Sequence, residues 1–134
     1  MGYGGLIPFL GLTAAIWVAR PGEWPLASAA LLGYGSTIVS FLGAIHWGLS
    51  MRPGAAQALP ALLWGVTPSL LGWMALLLDP APGLALIAMV LWACFAVDRV
   101  FYPRHQMQAW LPMRLWLTLT ASSSCLAAAF ALQR

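Results

Sequence analysis

The sequence predicts an all-α, polytopic membrane helix bundle with about five transmembrane helices. The first observation behind this is compositional. Of 134 residues, 62% are hydrophobic and only 7% are charged, with a mean hydropathy of +0.85. Soluble domains carry about 25% charged residues, and a surface this poor in charge cannot be kept in water. The second observation is that the apolar residues fall into five continuous runs, approximately 3–19, 26–51, 59–78, 83–101 and 110–132, separated by arginine, proline and glycine. The third is that these runs do not alternate polar and apolar residues as barrel strands do. In lipid a continuous apolar run satisfies its backbone only as a helix.

A helix needs roughly 20 residues to cross the hydrocarbon core, and the five runs meet that length unequally. The first, 3–19, is marginal, with glycines at its start. It lacks the basic region that precedes the apolar core of a signal peptide, so a retained helix is expected; a start placed further upstream would also account for its shortness. The second, 26–51, and the third, 59–78, meet the length readily. Pro68, within "GVTPSLLG", removes a backbone donor and is expected to kink the third helix, with Thr67 and Ser69 beside the freed carbonyl. Such a break is either a packing feature or part of an ion or substrate site. The fourth, 83–101, is adequate, and Trp92 at its middle is expected to pack on a neighbour. The fifth, 110–132, carries "TASSSC" (120–125), which offers small polar surface to a helix neighbour or lines a polar path. "GLIPFL" (5–10) and "GVTPSL" (65–70) share G-x-x-P-x-L, either a trace of duplication or coincidence among common membrane residues.

The six basic residues are all arginine, set against Glu23, Asp79 and Asp98. They are too few and too scattered for a nucleic-acid surface. With five spans, Arg52, Arg99, Arg104 and Arg114 share one side of the membrane, against Arg20 and Arg134 on the other. The positive-inside rule then places the N-terminus in the cytoplasm and the C-terminus in the periplasm. Trp17 and Trp24 flank the first outer turn, and Trp47, Tyr102 and Trp110 lie near the inner boundary, as amphipathic aromatics do. Cys94 and Cys125 sit inside apolar runs and read as buried free thiols.

Two constellations stand out. On the second span Ser36, Ser40, Gly43 and Trp47 recur at helical spacing, with Gly48 close by. Small residues of this kind form a helix-packing face. The same span carries His46, which topology places near Arg52, Asp98, Arg99 and His105. Asp98 is positioned to pair with His46, Arg52 or Arg104. One reading is a candidate functional cluster of His46, Trp47, Arg52, Asp98, Arg99 and His105, since ionisable groups within a span tend to serve function. The other is an interfacial charge cluster that fixes helix ends. His105 lies in a polar loop, which argues against a haem site of paired histidines, and no cysteine or histidine spacing suggests a metal. The sequence implies no cofactor.

"YGGLIPFLGL", "YGSTIVSFLGAIHWGLSM" and "LLWGVTPSLLGWMALLL", on the first three spans, together resemble a domain family of unknown function that includes transmembrane protein 69. The block Ser40, Phe41, Leu42, Gly43, His46, Trp47, Gly48 is its most specific part. The resemblance implies a multi-pass protein of a bacterial or mitochondrial inner membrane. It also implies that the position of His46 accepts arginine, which weakens metal ligation and general-base chemistry there.

No H-E-x-x-H, G-x-S-x-G or phosphate-binding loop is present, so enzymatic activity is not expected. The leading expectation is a non-enzymatic accessory or assembly factor of the cell inner membrane, acting through helix–helix contacts with a membrane-protein partner or a second copy. A small transporter or channel, possible as a homo-oligomer, is the alternative, and a haem- or quinone-binding redox module stands third.

Overall fold

Proline placement in the sequence sets where the helices begin. A proline in the first turn loses no hydrogen bond, because the first four amides of a helix have no partner within it. In the computed structural model, which describes residues 2–54 and 59–134, four helices start this way. A 3₁₀ turn, Gly2–Leu6, leads into α1, Ile7–Val18; α2 is Pro25–Ser50, α3 Leu59–Leu76 and α4 Pro80–Arg104. A second 3₁₀ turn, Gln108–Trp110, precedes α5, Leu111–Ala131. Prolines occupy the first turns of α1, α2, α4 and α5. Gly22 and Gly54, at φ +93° and +80°, supply the left-handed turns that follow α1 and α2.

The all-α expectation holds, with five helices among the described residues. Three of them, α2, α3 and α4, are long and apolar enough to cross a membrane. The largest boundary change is in α4, which begins at Pro80 and ends at Arg104 rather than spanning 83–101. "DPAP" reads as loop punctuation in sequence, but Pro80 opens the helix, with Asp79 at the N-cap position and no side-chain capping bond. At the other end, Pro103 is accommodated in the last turn.

The helices form a ring in chain order, with α1 also closing on α5 and α2 reaching across to α4. The core of this bundle includes Phe9, Ile16, Leu31, Val39, Leu84, Ile87 and Leu91. The outside is as apolar as the inside: Ile7, Val18, Leu26, Phe41, Leu63, Trp73, Met89, Trp116 and Phe130 are all exposed. Meanwhile His46, Asp98, Arg114, Thr118 and five serines, Ser28, Ser36, Ser50, Ser122 and Ser124, are withdrawn from the surface. Apolar exterior with polar interior is the arrangement that lipid favours, because an interior partner replaces the water that the bilayer cannot supply.

The α2–α3 contact is the most extensive, and its geometry explains the small residues of α2. A methyl group added at Gly43 would run into the carbonyl of Gly65, and one added at Gly65 would run into the indole of Trp47. The two backbones therefore touch, which only glycine permits. Trp47 Nε1 donates to the carbonyl of Leu62 at 2.8 Å, tying the same contact at its end. Pro68 lies buried inside a helix that continues from Leu59 to Leu76, and its ring faces Gly43. Gly72 packs on Ser36 and Val39.

The packing-face expectation is thus realised at Ser36 and Gly43 and needs correction at two positions. Gly48 is exposed, with nothing within 4 Å of where its Cβ would be, so it belongs to the opposite, outward side of α2. The half-buried Ser40 donates its hydroxyl to the carbonyl of Ser36 in its own helix, at 2.8 Å, rather than across the contact. Four residues back is a carbonyl that a serine in a membrane helix reaches without help.

Candidate functional site

Three helices bring one ionisable residue each to a common point. α2 supplies His46, α4 supplies Asp98 and α5 supplies Arg114, and all three are buried. His46 Nε2–H donates to Asp98 Oδ1 at 2.9 Å. Arg114 donates to the other carboxylate oxygen through both Nε, at 2.9 Å, and a terminal nitrogen, at 2.7 Å. The carboxylate is therefore a bridge, with a cation on one oxygen and an imidazole on the other. Hydrogen bonds to ionised groups are shorter and stronger than neutral ones, and each of these three has good length.

Position along the helices puts this triad inside the bundle, short of the helix ends. His46 is four residues from the end of α2, Asp98 six from the end of α4, and Arg114 three from the start of α5. At 1.5 Å per residue that is roughly 5–9 Å inside the helix termini. Phe101 stands edge-on to the His46 ring, with centroids 5.3 Å apart, and Arg104 lies 5.5 Å over the Phe101 ring. The imidazole is thereby held by its Nε2 bond and by an aromatic wall.

Of the sequence-derived cluster, the structure joins His46 and Asp98 and leaves the rest apart. Trp47 turns to α3. Arg52 is exposed in the turn after α2, and Arg99 is exposed on α4. The half-buried His105 caps the C-terminus of α4. Among the described residues, ion pairs occur only within the triad. Adjacent residues of a helix point about 100° apart, so Arg99 cannot share the inward direction of Asp98.

Arg114 is the residue that sequence reading missed as a site member, having counted it with the loop arginines. The signal was present: it follows "LPM" inside the fifth apolar run, where an unpaired charge would be costly. Its removal from the loop leaves Arg52, Arg99 and Arg104 against Arg20 and Arg134 in the orientation argument. Asp98 likewise proves to be a carboxylate inside the bundle, where sequence reading had assigned it to the boundary.

Helix α5 carries further polar contacts. Trp92 Nε1 donates to Ser122 Oγ at 3.1 Å, which realises its expected packing on a neighbour, and Thr13 donates to the carbonyl of Ser124 at 3.2 Å. Cys94 and Cys125 are buried free thiols. Two buried polar atoms have no hydrogen-bond partner among the described residues, Trp64 Nε1 and Thr118 Oγ1. No group of three His, Cys, Asp or Glu among the described residues could hold a metal ion.

Residues 1–130 match the family model described as "Protein of unknown function (DUF3429)", and the chain belongs to that family. Transmembrane protein 69 of Xenopus tropicalis is 36% identical over 80 residues, which cover 58% of this chain and 31% of the relative. The matched region is thus less than a third of the length of that relative. No solved structure matches.

Proposed function

We propose that this family member, a multi-pass membrane protein, is a non-enzymatic accessory or assembly factor that works through the outward face of α2. One observation carries the reading. Ala30, Gly33, Thr37, Ala44 and Gly48 recur at three- and four-residue spacing on the side of α2 turned away from α3, and they share it with Leu26 and Phe41. Gly33 and Gly48 have nothing within 4 Å of their Cβ positions, and Ala30, Thr37 and Ala44 are exposed. Small residues at this spacing let another helix approach closely, and that approach is a main source of helix association in lipid. The inward glycines are already consumed by α3, so the outward set is what remains for a partner.

The reading threads all five helices through the inner membrane, with the N-terminus cytoplasmic and the C-terminus periplasmic. Support comes from Arg52, Arg99 and Arg104, which lie on the proposed inner side. The partner is another membrane protein or a second copy of the chain. The interior gives catalysis little support, since each buried ionisable group of the triad is engaged by another.

Purification from native membranes in mild detergent tests the proposal. A stoichiometric membrane-protein partner, or a homo-oligomer, is expected with the wild type and is expected to be lost when Gly33 and Gly48 are both changed to leucine. A monodisperse protein without a partner in both cases would overturn it. Small-transporter activity keeps one observation in its favour, the buried Asp98–His46 pair. Reconstituted liposomes with no proton or ion flux would remove it.

A further inference from the structure

A second feature lies beside the triad, between α1, α2, α4 and α5. It is a cavity of about 480 Å³, within the range of small-molecule sites. Its walls are almost wholly apolar, with Phe9, Leu42, Leu91 and Leu117 among them, and the exposed Phe41 and Trp110 stand at its rim. Three buried side chains with polar groups line the same space: Arg114 and Thr118, one helical turn apart on α5, and Tyr102 on α4.

Thr118 is the unexplained group. It is 1% exposed, and its hydroxyl has no partner. Threonines in membrane helices ordinarily return the hydroxyl to a carbonyl one turn back, as Thr67 does here to Leu63 at 2.9 Å. Thr118 does not. It lies seven residues into α5, roughly 10 Å from the helix start, too deep for bulk water to satisfy it.

We propose that this cavity binds a neutral, lipid-soluble carbonyl compound, with its carbonyl oxygen accepting from Thr118 Oγ1–H beside Arg114 and its apolar tail leaving past Phe41 and Trp110. The polarity of the site selects this class. The Thr118 hydroxyl donates, and the Arg114 guanidinium carries only donors, of which Nε and one terminal nitrogen are committed to Asp98. A donor-rich wall calls for an acceptor on the ligand. The positive charge of Arg114 is already balanced by Asp98, so an anionic headgroup gains little there and a neutral one loses nothing. Isoprenoid quinones and acyl-ester lipids share this chemistry of a carbonyl at the end of a flexible apolar chain.

Tryptophan-fluorescence quenching by a short-chain isoprenoid quinone, and displacement of that signal by a diacylglycerol, test both sources on the full-length protein in mild detergent. Saturable binding of at least one probe is expected. Thr118→Val should weaken it tenfold or more while Thr118→Ser retains it. Ala121→Phe, which fills the cavity from α5, should abolish it. Circular dichroism and the thermal midpoint serve as fold controls, and Thr118→Val, of nearly the same shape, is expected to leave the first unchanged and not to lower the second. Quenching that saturates and is not displaced identifies the quinone; displacement at low diacylglycerol identifies the ester lipid. Equal binding by wild type and Thr118→Val would show only an acyl chain filling an apolar space, and this result, or the failure of both probes to bind, would overturn the proposal.

Discussion

The two seams of α2 are built on opposite principles. Along α3, the Gly43–Gly65 contact is made of backbone against backbone, closed by Trp47 and Pro68 and free of charge. Toward α4 and α5, the same helix presents His46, bound to a carboxylate that also binds Arg114. In water both seams would be driven by burial of apolar surface. In a bilayer the surrounding tails are as apolar as the side chains, so helices are held by close van der Waals approach or by polar groups that have no better partner in lipid. This molecule uses one device on each side of a single helix. The first fails when volume is added, and the second when charge is left unbalanced.

The largest expected effect is on the charged seam. Asp98→Asn retains the shape and leaves Arg114 buried without a counter-charge, which should destabilise the bundle by about 3–5 kcal/mol. Reversible unfolding in mixed micelles, followed by circular dichroism, measures this. The comparison sharpens with the triple change His46→Leu, Asp98→Leu, Arg114→Met. Replacing a whole buried ionic set with apolar residues is often neutral or stabilising, so most of the loss should return. If the triple variant is as unstable as Asp98→Asn, the charge-balance account of this seam is wrong.

On the dry seam, Gly43→Ala pushes a methyl group against the Gly65 carbonyl and should cost about 1–3 kcal/mol, as overpacking does. Gly48→Ala on the outward side of the same helix meets nothing. The same assay should show it to be neutral or stabilising by up to about 1 kcal/mol, because alanine is the better helix former. Equal effects at the two glycines would break the distinction between an inward and an outward face. The smallest loss is expected from Trp47→Phe, which removes the indole donor to Leu62 and should cost about 1 kcal/mol.

Much of this was legible in the residues. Five helices fall close to five apolar runs, because composition alone decides which solvent the chain tolerates and lipid then demands helices. His46 was recognisable as one of three candidate partners of Asp98, beside Arg52 and Arg104, and the structure selects it. Gly43 was recognisable as a packing residue from its place among small neighbours. Arg114 was not, although it lies within the fifth run, because an arginine three residues into a span is commonly a boundary charge. Gly48 was assigned to the wrong face of α2, and Thr118 looked like any other hydroxyl on α5.

By itself, then, the sequence determined the solvent, the secondary structure and the approximate ends of each helix, since these follow from hydropathy, length and first-turn prolines. Only the tertiary structure decided which arginine turns inward, which glycines meet a neighbouring backbone and which hydroxyl is left without a partner. The physical reason is that helices apolar on every side carry no amphipathic stripe to mark the inside. Their rotation is set by a few close contacts and buried polar bonds, and these exist only once all the helices are together.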